Sequence, residues 1–330
     1  MTNEEYPIDD LQSSMEKVIE QQHYKDFDKW IENFSLNLID IWNESSAHEL
    51  NPDYNLSLNK NVKSAIVIGK GPSVKKHKHL ELLASSNYDG AIICTDGMLP
   101  RVLEYGITPD KFPNFYVVTI DPDTSTHQWY DKDIVNKFGK NITGIFSIVS
   151  NPLTVIRARE AGIKIHWIHP LFDYNEGIKS FNHISSQIVR AKNHERGLPA
   201  IQTGGNVGTS CWFVGWKILQ CKEIVLIGIN HGWEEDDPWD IITSHNNMIS
   251  TKNIDKNKSS FNKLFEKIYN PEFDCYFIFD PLFRFYSNAL REFISRSPDW
   301  LTTINATEGG SIFGNRIICK KFSEFLNLNT

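Results

Sequence analysis

Short runs of apolar, largely β-branched residues recur along this chain at 64–69, 90–94, 115–120, 142–149, 164–168 and 223–228. Between several of them lie stretches of helical periodicity, at 78–86, 99–105, 154–160 and 209–219. A strand that is apolar on both faces has to be covered on both faces, and parallel strands need a crossover helix between them. The pattern therefore predicts an α/β fold, a Rossmann-like three-layer sandwich with a mostly parallel sheet.

The two ends of the chain read differently. Between residues 15 and 42 the apolar positions Val18, Ile19, Phe27, Trp30, Ile31, Phe34, Leu36, Leu38, Ile39 and Trp42 recur mostly at steps of three and four. That spacing predicts one or two amphipathic helices, which either cover the sheet or form a homodimer contact. The polar stretch 43–61, which holds Pro52, reads as a linker. Further helical pattern lies at 288–294 and 320–326. The expected organisation is an N-terminal helical segment and linker at 1–60, a Rossmann-like nucleotide-binding core at 61–255, and a helical extension at 256–330 that completes the core.

Composition closes off several classes. A 330-residue chain with 40% hydrophobic and 23% charged residues is neither collagenous, disordered nor a coiled coil. No run reaches the roughly 18 apolar residues of a membrane span. A formal charge of −7 argues against nucleic-acid coating, which needs clustered Lys and Arg. The acidic start at 1–10 does not read as a secretory signal. Cys94, Cys211, Cys221, Cys275 and Cys319 are dispersed without a C-x-x-C pair, which fits reduced thiols in a cytoplasmic protein and gives no zinc pattern.

In an open parallel sheet, ligands bind beyond the carboxyl ends of the strands. Gly69, Lys70, Gly71 and Ser73 follow the first apolar run and suit a phosphate, or simply a tight turn into a helix. Thr95 and Asp96 follow the second and suit a ribose or base edge, or a helix cap. Asp121 and Asp123 follow the third, where two carboxylates one residue apart can hold Mg²⁺ against a diphosphate or merely form a turn. Gly204, Gly205, Asn206 and Thr209 form a glycine-rich segment opening a helix, a second anion or ligand cradle. Asn230 and His231 end the run at 223–228, with His231 placed for proton transfer or for a structural hydrogen bond. Beyond them an acidic loop at 234–240 reads as a solvated lid. Asn305 and Glu308 lie in a late polar cluster placed to close over the site or to form a turn.

The ordered set IVIGKGPSVKKH, GAIICTDGMLPRVLEYGITPD, VVTIDPD, TGGNVGTSCWFVGWKILQCKEIVLIGINHG and INATEGGSIFG resembles the MptE-like family. That family is named for 6-hydroxymethyl-7,8-dihydropterin diphosphokinase and also contains the motility-associated (Maf) flagellin-modification proteins. Its core is similar to that of CMP-sugar sialyltransferases. The resemblance covers roughly 64–232 and returns at 305–314. It implies a nucleotide bound across the strand ends, phosphates on Gly69, Gly71 and Ser73, and Mg²⁺ on Asp121 and Asp123. It also implies attack by a hydroxymethyl oxygen on the β-phosphate of ATP.

Two departures keep a second branch open. The family's diphosphokinases look shorter and carry an Asp-rich segment where this chain has Gly204 to Gly208, which is more like the Maf and sialyltransferase branch. Sialyltransferases place a general-base His ahead of a late helix. Here Phe279, Asp280 and Pro281 stand in that place, so Asp280 or His231 would substitute. The leading expectation is a Mg²⁺-dependent transferase that takes ATP and a hydroxymethylpterin. The alternative is a glycosyltransferase with a nucleotide-activated sugar and a small-molecule or glycan acceptor. A third is a non-catalytic nucleotide-binding module.

Overall fold

Alternate residues of the apolar runs face opposite ways. In the strand Ser64–Ile68, the side chains of Ile66 and Ile68 enter one buried cluster, and those of Ala65 and Val67 enter the other. Burying each such isoleucine contributes roughly 1.5–3 kcal/mol, so both faces of the sheet demand a helical cover. The computed structural model describes residues 8–53, 62–171, 180–190, 197–234, 236–237, 265–279 and 281–328, with backbone alone for 8–25, 281 and 328.

The strands of the main sheet are β1 (Ser45–Ser46), β2 (Ser64–Ile68), β3 (Ala91–Thr95), β4 (Phe115–Thr119), β5 (Thr143–Ser147), β6 (Lys164–Leu171), β7 (Ala200–Gln202), β8 (Glu223–Ile227), β12 (Thr302–Asn305) and β13 (Ile317–Cys319). Their order is β1-β6-β5-β4-β3-β2-β8-β12-β13, with β7 beside β6, and the pairs are all parallel. From β2 the chain steps outward through β3 to β6, then returns to β8 on the other side. The order thus reverses between β2 and β8, the position beyond which open parallel sheets bind their ligands. The smaller antiparallel sheet holds β9 (Trp233–Glu234), β10 (Lys267–Asn270) and β11 (Cys275–Ile278).

One face of the main sheet is covered by α1 (Ile8–Asn43), α2 (Ser73–Lys76), α3 (His79–Ser85), α4 (Leu99–Glu104), α5 (Asp133–Phe138), α6 (Pro152–Glu160), α7 (Phe181–Arg190) and α10 (Phe322–Leu328). The other is covered by α8 (Val207–Phe213) and α9 (Pro281–Ser295). Residues 214–218 continue α8 as a π-helical turn, with the Leu219 amide bonded to the Val214 carbonyl. The small residues of that helix permit close approach: a Cβ at Gly215 would stand 3.1 Å from the Ile224 side chain on β8. No described helix is long and apolar enough to cross a membrane.

The N-terminal periodicity folds as a single 36-residue helix. Trp30, Asn33, Phe34, Asn37 and Ile41 share its buried face. Two asparagines on an apolar stripe satisfy carbonyls at the strand ends: Asn33 Nδ2 donates to Pro122 (3.0 Å) and Val149 (2.9 Å), and Asn37 Nδ2 to Ser150 (2.8 Å). The helix therefore covers the ends of β4 and β5. Part of the polar stretch read as a linker is built into the core. Ser46 and Glu49 form a capping box, and β1 pairs with β6.

Candidate functional site

The loops leaving β2 and β8 are pressed together. The Gly69 amide donates to the Ile227 carbonyl (2.9 Å) and the Gly71 amide to the Gly228 carbonyl (2.8 Å). A Cβ at Gly71 would stand 2.6 Å from the Gly228 carbonyl oxygen and run into the Asn230 side chain. Ser73, fully buried, donates its hydroxyl to Asn230 Oδ1 (2.9 Å). In this arrangement the glycines serve loop-to-loop contact, and Asn230 is the clasp. Lys70 alone of this group is exposed, with Nζ 4.8 Å from the centre of the Trp129 ring.

Thr95 and Asp96 are buried at the end of β3. Asp96 Oδ1 accepts the Gly97 amide (2.7 Å), while Oδ2 is buried without a hydrogen-bond partner of normal geometry. The nearby Thr119 hydroxyl is shared with Tyr130. Burial, with the charge of Asp121 behind it, pushes the Asp96 carboxyl up to about 7. Asp121 opens to solvent, yet the atoms crowded round it remove enough water to raise its carboxyl, and Asp123 adds to the effect.

Asp123 is differently placed. Its Oδ1 accepts the Ser125 amide (2.9 Å) and hydroxyl (2.7 Å), and its Oδ2 faces Lys29 (3.5 Å). Those bonds hold its carboxyl below the usual range. Asp121 Oδ1 in turn accepts the Asp123 amide (2.8 Å). The D-x-D segment is thus a tight turn whose second carboxylate caps the 3-10 turn Thr124–Trp129. Among the described residues no three His, Cys, Asp or Glu side chains converge on one point as a preformed metal site. Asp121, with one oxygen engaged, fits a cation ligand. Asp123, with both engaged, fits a cap.

Gly204 and Gly205 both take positive φ (53° and 82°), which strains any side-chain-bearing residue. The turn they make delivers Asn206 as the N-cap of α8, its Oδ1 accepting the Thr209 amide (2.9 Å) and its Nδ2 bonding the Thr209 hydroxyl (3.0 Å). A Cβ on Gly205 would collide with the Tyr286 ring, so this segment also seats α9.

His231 has φ 41° and is buried. Its ring lies 6.3 Å from Phe283 and 6.0 Å from Tyr286, and Nδ1 has no partner. Burial pushes it down to about 3, so the imidazole is neutral across the physiological range. A strained backbone and an unbonded buried nitrogen belong to a residue held for more than packing. Asp280 lies outside the described residues.

Asn305 and Glu308 are drawn elsewhere. Asn305, fully buried, donates to the Ile312 carbonyl (2.6 Å) and accepts the Thr307 amide (2.9 Å), folding the loop after β12 back on itself. Glu308 meets His79 (3.3 Å) and accepts the Phe322 amide (3.1 Å). Beside it Lys76 bonds Glu234 and Asp236. Burial disfavours the Lys76 charge, but those carboxylates outweigh it and hold its pKa above the ordinary value.

The structure therefore gathers the loops after β2, β3, β4, β8 and β12 at one edge, as their positions predict. Inside that edge, Asp96 and His231 keep unbonded buried atoms. Missed from the sequence were Trp129, Phe283 and Tyr286. The signal for Trp129 was an aromatic six residues beyond Asp123. For the others it was the F-R-F-Y run at the start of a helix.

Residues 33–236 match the sequence profile of the MptE-like family, described as 6-hydroxymethylpterin diphosphokinase MptE-like. The chain belongs to the MptE-like family. No curated protein matches it. Among solved structures it is similar to the MAf glycosyltransferase from Magnetospirillum magneticum AMB-1, with a TM-score of 0.52 and 14% identity over 79% of this chain. The chain spans 34% of that protein's length, and at this identity the likeness is one of fold. The chain is thus a member of a family whose description names a transferase activity.

Proposed function

We propose that this MptE-like protein transfers the diphosphoryl group of ATP to the hydroxymethyl oxygen of a reduced pterin. The observation that carries the reading is two unlike walls of side chains, one on each side of the strand-order reversal. On one wall stand Lys70, Asp96, Asp121 and Trp129, which suit a nucleotide and its phosphates. On the other stand His231, Phe283 and Tyr286 around an unbonded imidazole nitrogen, which suit a flat heteroaromatic acceptor.

In that reaction the acceptor oxygen forms a bond to the β-phosphorus, and the bond from that phosphorus to the α,β-bridging oxygen breaks. AMP leaves, and the hydroxyl proton passes to solvent. Lys70 reaches the phosphate chain, and neutral His231 accepts a hydrogen bond from the acceptor. A divalent cation, when bound, supplies charge neutralisation for the phosphates. The rest is positioning.

A second reading, glycosyl transfer from a nucleotide-activated sugar, draws on the fold likeness to the MAf glycosyltransferase, which extends over 79% of this chain. Thermal shifts with ATP, ADP, CMP, CDP, UDP and GDP separate the two. Stabilisation by ATP, followed by AMP release with hydroxymethyldihydropterin, is expected. Stabilisation by CMP or a UDP-sugar with none by ATP would overturn diphosphoryl transfer in favour of the glycosyl reading.

A further inference from the structure

We propose that the base of a bound nucleotide stacks on the Trp129 indole, over the bare backbone of Gly97, where the Lys70 ammonium now lies. Such a platform rests on the nucleotide reading, common to both reactions above, and gives the base a place that reading leaves open.

Gly97 stands apart from the other glycines. Every other described glycine either takes positive φ or would drive a Cβ to within 3.2 Å of a neighbour. Gly97 does neither: its φ is not left-handed, and a Cβ there would meet Lys70 Cδ at 3.8 Å and the Trp129 indole at 3.8 and 3.9 Å, which is ordinary contact. Glycine loses more backbone entropy on folding than alanine, so a turn that accepts either gains stability from alanine. The fold does not require this glycine. A bare backbone that packing does not demand suits close approach by a ligand.

Three adjacent strands bring this corner together. Lys70 follows β2, Gly97 sits in the 3-10 turn Asp96–Met98 after β3, and Trp129 ends the 3-10 turn Thr124–Trp129 after β4. Asp96 Oδ1 holds the Gly97 amide (2.7 Å), which fixes the turn. Trp129 is half-buried against the core, and Lys70 Nζ lies over its ring, 4.8 Å from the centre. An exposed cation over an indole is a weak contact, and a base stacked on the same ring is a stronger one. When phosphates draw Lys70 away, its stem leaves the Gly97 corner and the base takes its place. A methyl group at position 97 would stand in that place. Every base has a π-face, so the platform reads flatness and leaves base identity to other contacts.

The test is calorimetric titration of the full chain with ATP, CMP and inorganic tripolyphosphate, the last carrying charge without a base. The nucleotide that binds the parent should be weakened about tenfold or more by Trp129→Ala and by Gly97→Ala, and less than about threefold by Trp129→Phe, which keeps an aromatic face. Tripolyphosphate should bind all four proteins within about threefold, since it makes no stacking contact. Thermal melts establish that each variant folds, and Gly97→Ala, expected to melt no lower than the parent, carries the test if Trp129→Ala does not fold. Nucleotide affinity unchanged in Gly97→Ala and Trp129→Ala overturns the proposal, as does an equal loss of tripolyphosphate. Failure of the diphosphoryl reading looks different: CMP binds with the expected dependence on Trp129 and Gly97, and ATP does not bind. A parent that binds neither nucleotide overturns both.

Discussion

The two sides of the strand-order reversal use similar residues to opposite ends. After β8 and β12, the polar side chains are bonded inward: Asn230 to Ser73, Asn305 to Ile312 and Thr307, and Ser311 to the Asn230 and His231 carbonyls. After β3 and β4, Asp96 keeps an unbonded oxygen and Asp121 a raised carboxyl. A buried polar group with all its bonds made is scaffold, whereas one left incomplete is poised for a ligand. An exception on the β8 side is His231, whose Nδ1 has no partner.

The sharpest way to break the comparison is Asp96→Asn. The Asp96 carboxyl rises from 3.8 in the unfolded chain to about 7 in the folded one, so folding favours its protonated form. That contribution is fully present below pH 3.8 and is lost as pH rises through 7, an effect of up to about 4 kcal/mol. Asparagine carries no such penalty. Urea unfolding at pH 4.5 and pH 8 should show the variant gaining on the parent as pH rises, while AMP release falls by about a hundredfold or more. A variant less stable than the parent at pH 8 would place Asp96 among the scaffold residues.

On the satisfied wall the expectation reverses. Asn305→Ala leaves the Ile312 carbonyl and Thr307 amide unpaired in the interior and should cost about 3 kcal/mol, read from the urea midpoint. Turnover per folded molecule should change less than about threefold. A far larger loss would mean that this wall also does chemistry.

His231→Asn refines the exception. Asparagine tolerates positive φ, so the backbone at 41° is retained. The imidazole stays neutral in the folded chain, so stability is present above pH 6.5 and is lost as pH falls toward 3. The variant should escape about 2 kcal/mol of that loss at pH 5, measured by chemical unfolding, while its KM for the pterin rises. An unchanged KM would remove His231 from the acceptor site.

Lys29→Ala should do least. Its pair with Asp123 is solvent-exposed at 3.5 Å, worth at most about 0.5 kcal/mol, and a calorimetric scan should barely register it.

Much of the fold was legible because β-branched runs buried on both sides have few alternatives. Each run at 64–69, 90–94, 115–120, 142–149, 164–168 and 223–228 forms a strand within a few residues of its expected ends. What escaped was short or polar. The two residues of β1 and the three of β7 have no pattern to read, and their pairing is decided by β6 beside them. At the site, strand-end position located the loops correctly. It could not separate Asp96 from Asp123, or Asn206 from His231. In a sequence each is a polar residue after a strand, and the distinction is how many of its side-chain atoms are engaged by neighbours. Ser125 reaches Asp123, and Thr209 reaches Asn206. No donor in normal geometry reaches Asp96 Oδ2.

The asparagines of α1 carry a consequence in time. Asn33 finds its acceptors 89 and 116 residues further along, at Pro122 and Val149. At a synthesis rate of about 5–20 residues per second, the helix leaves the ribosome roughly 5–20 s before the turns that receive it exist. Throughout that wait Trp30, Phe34 and Ile41 have no core to enter. This helix therefore waits for the strands it covers, and its arrival locks the Asp121 to Asp123 turn. During synthesis, the turn after β4 is completed by a helix made well before it.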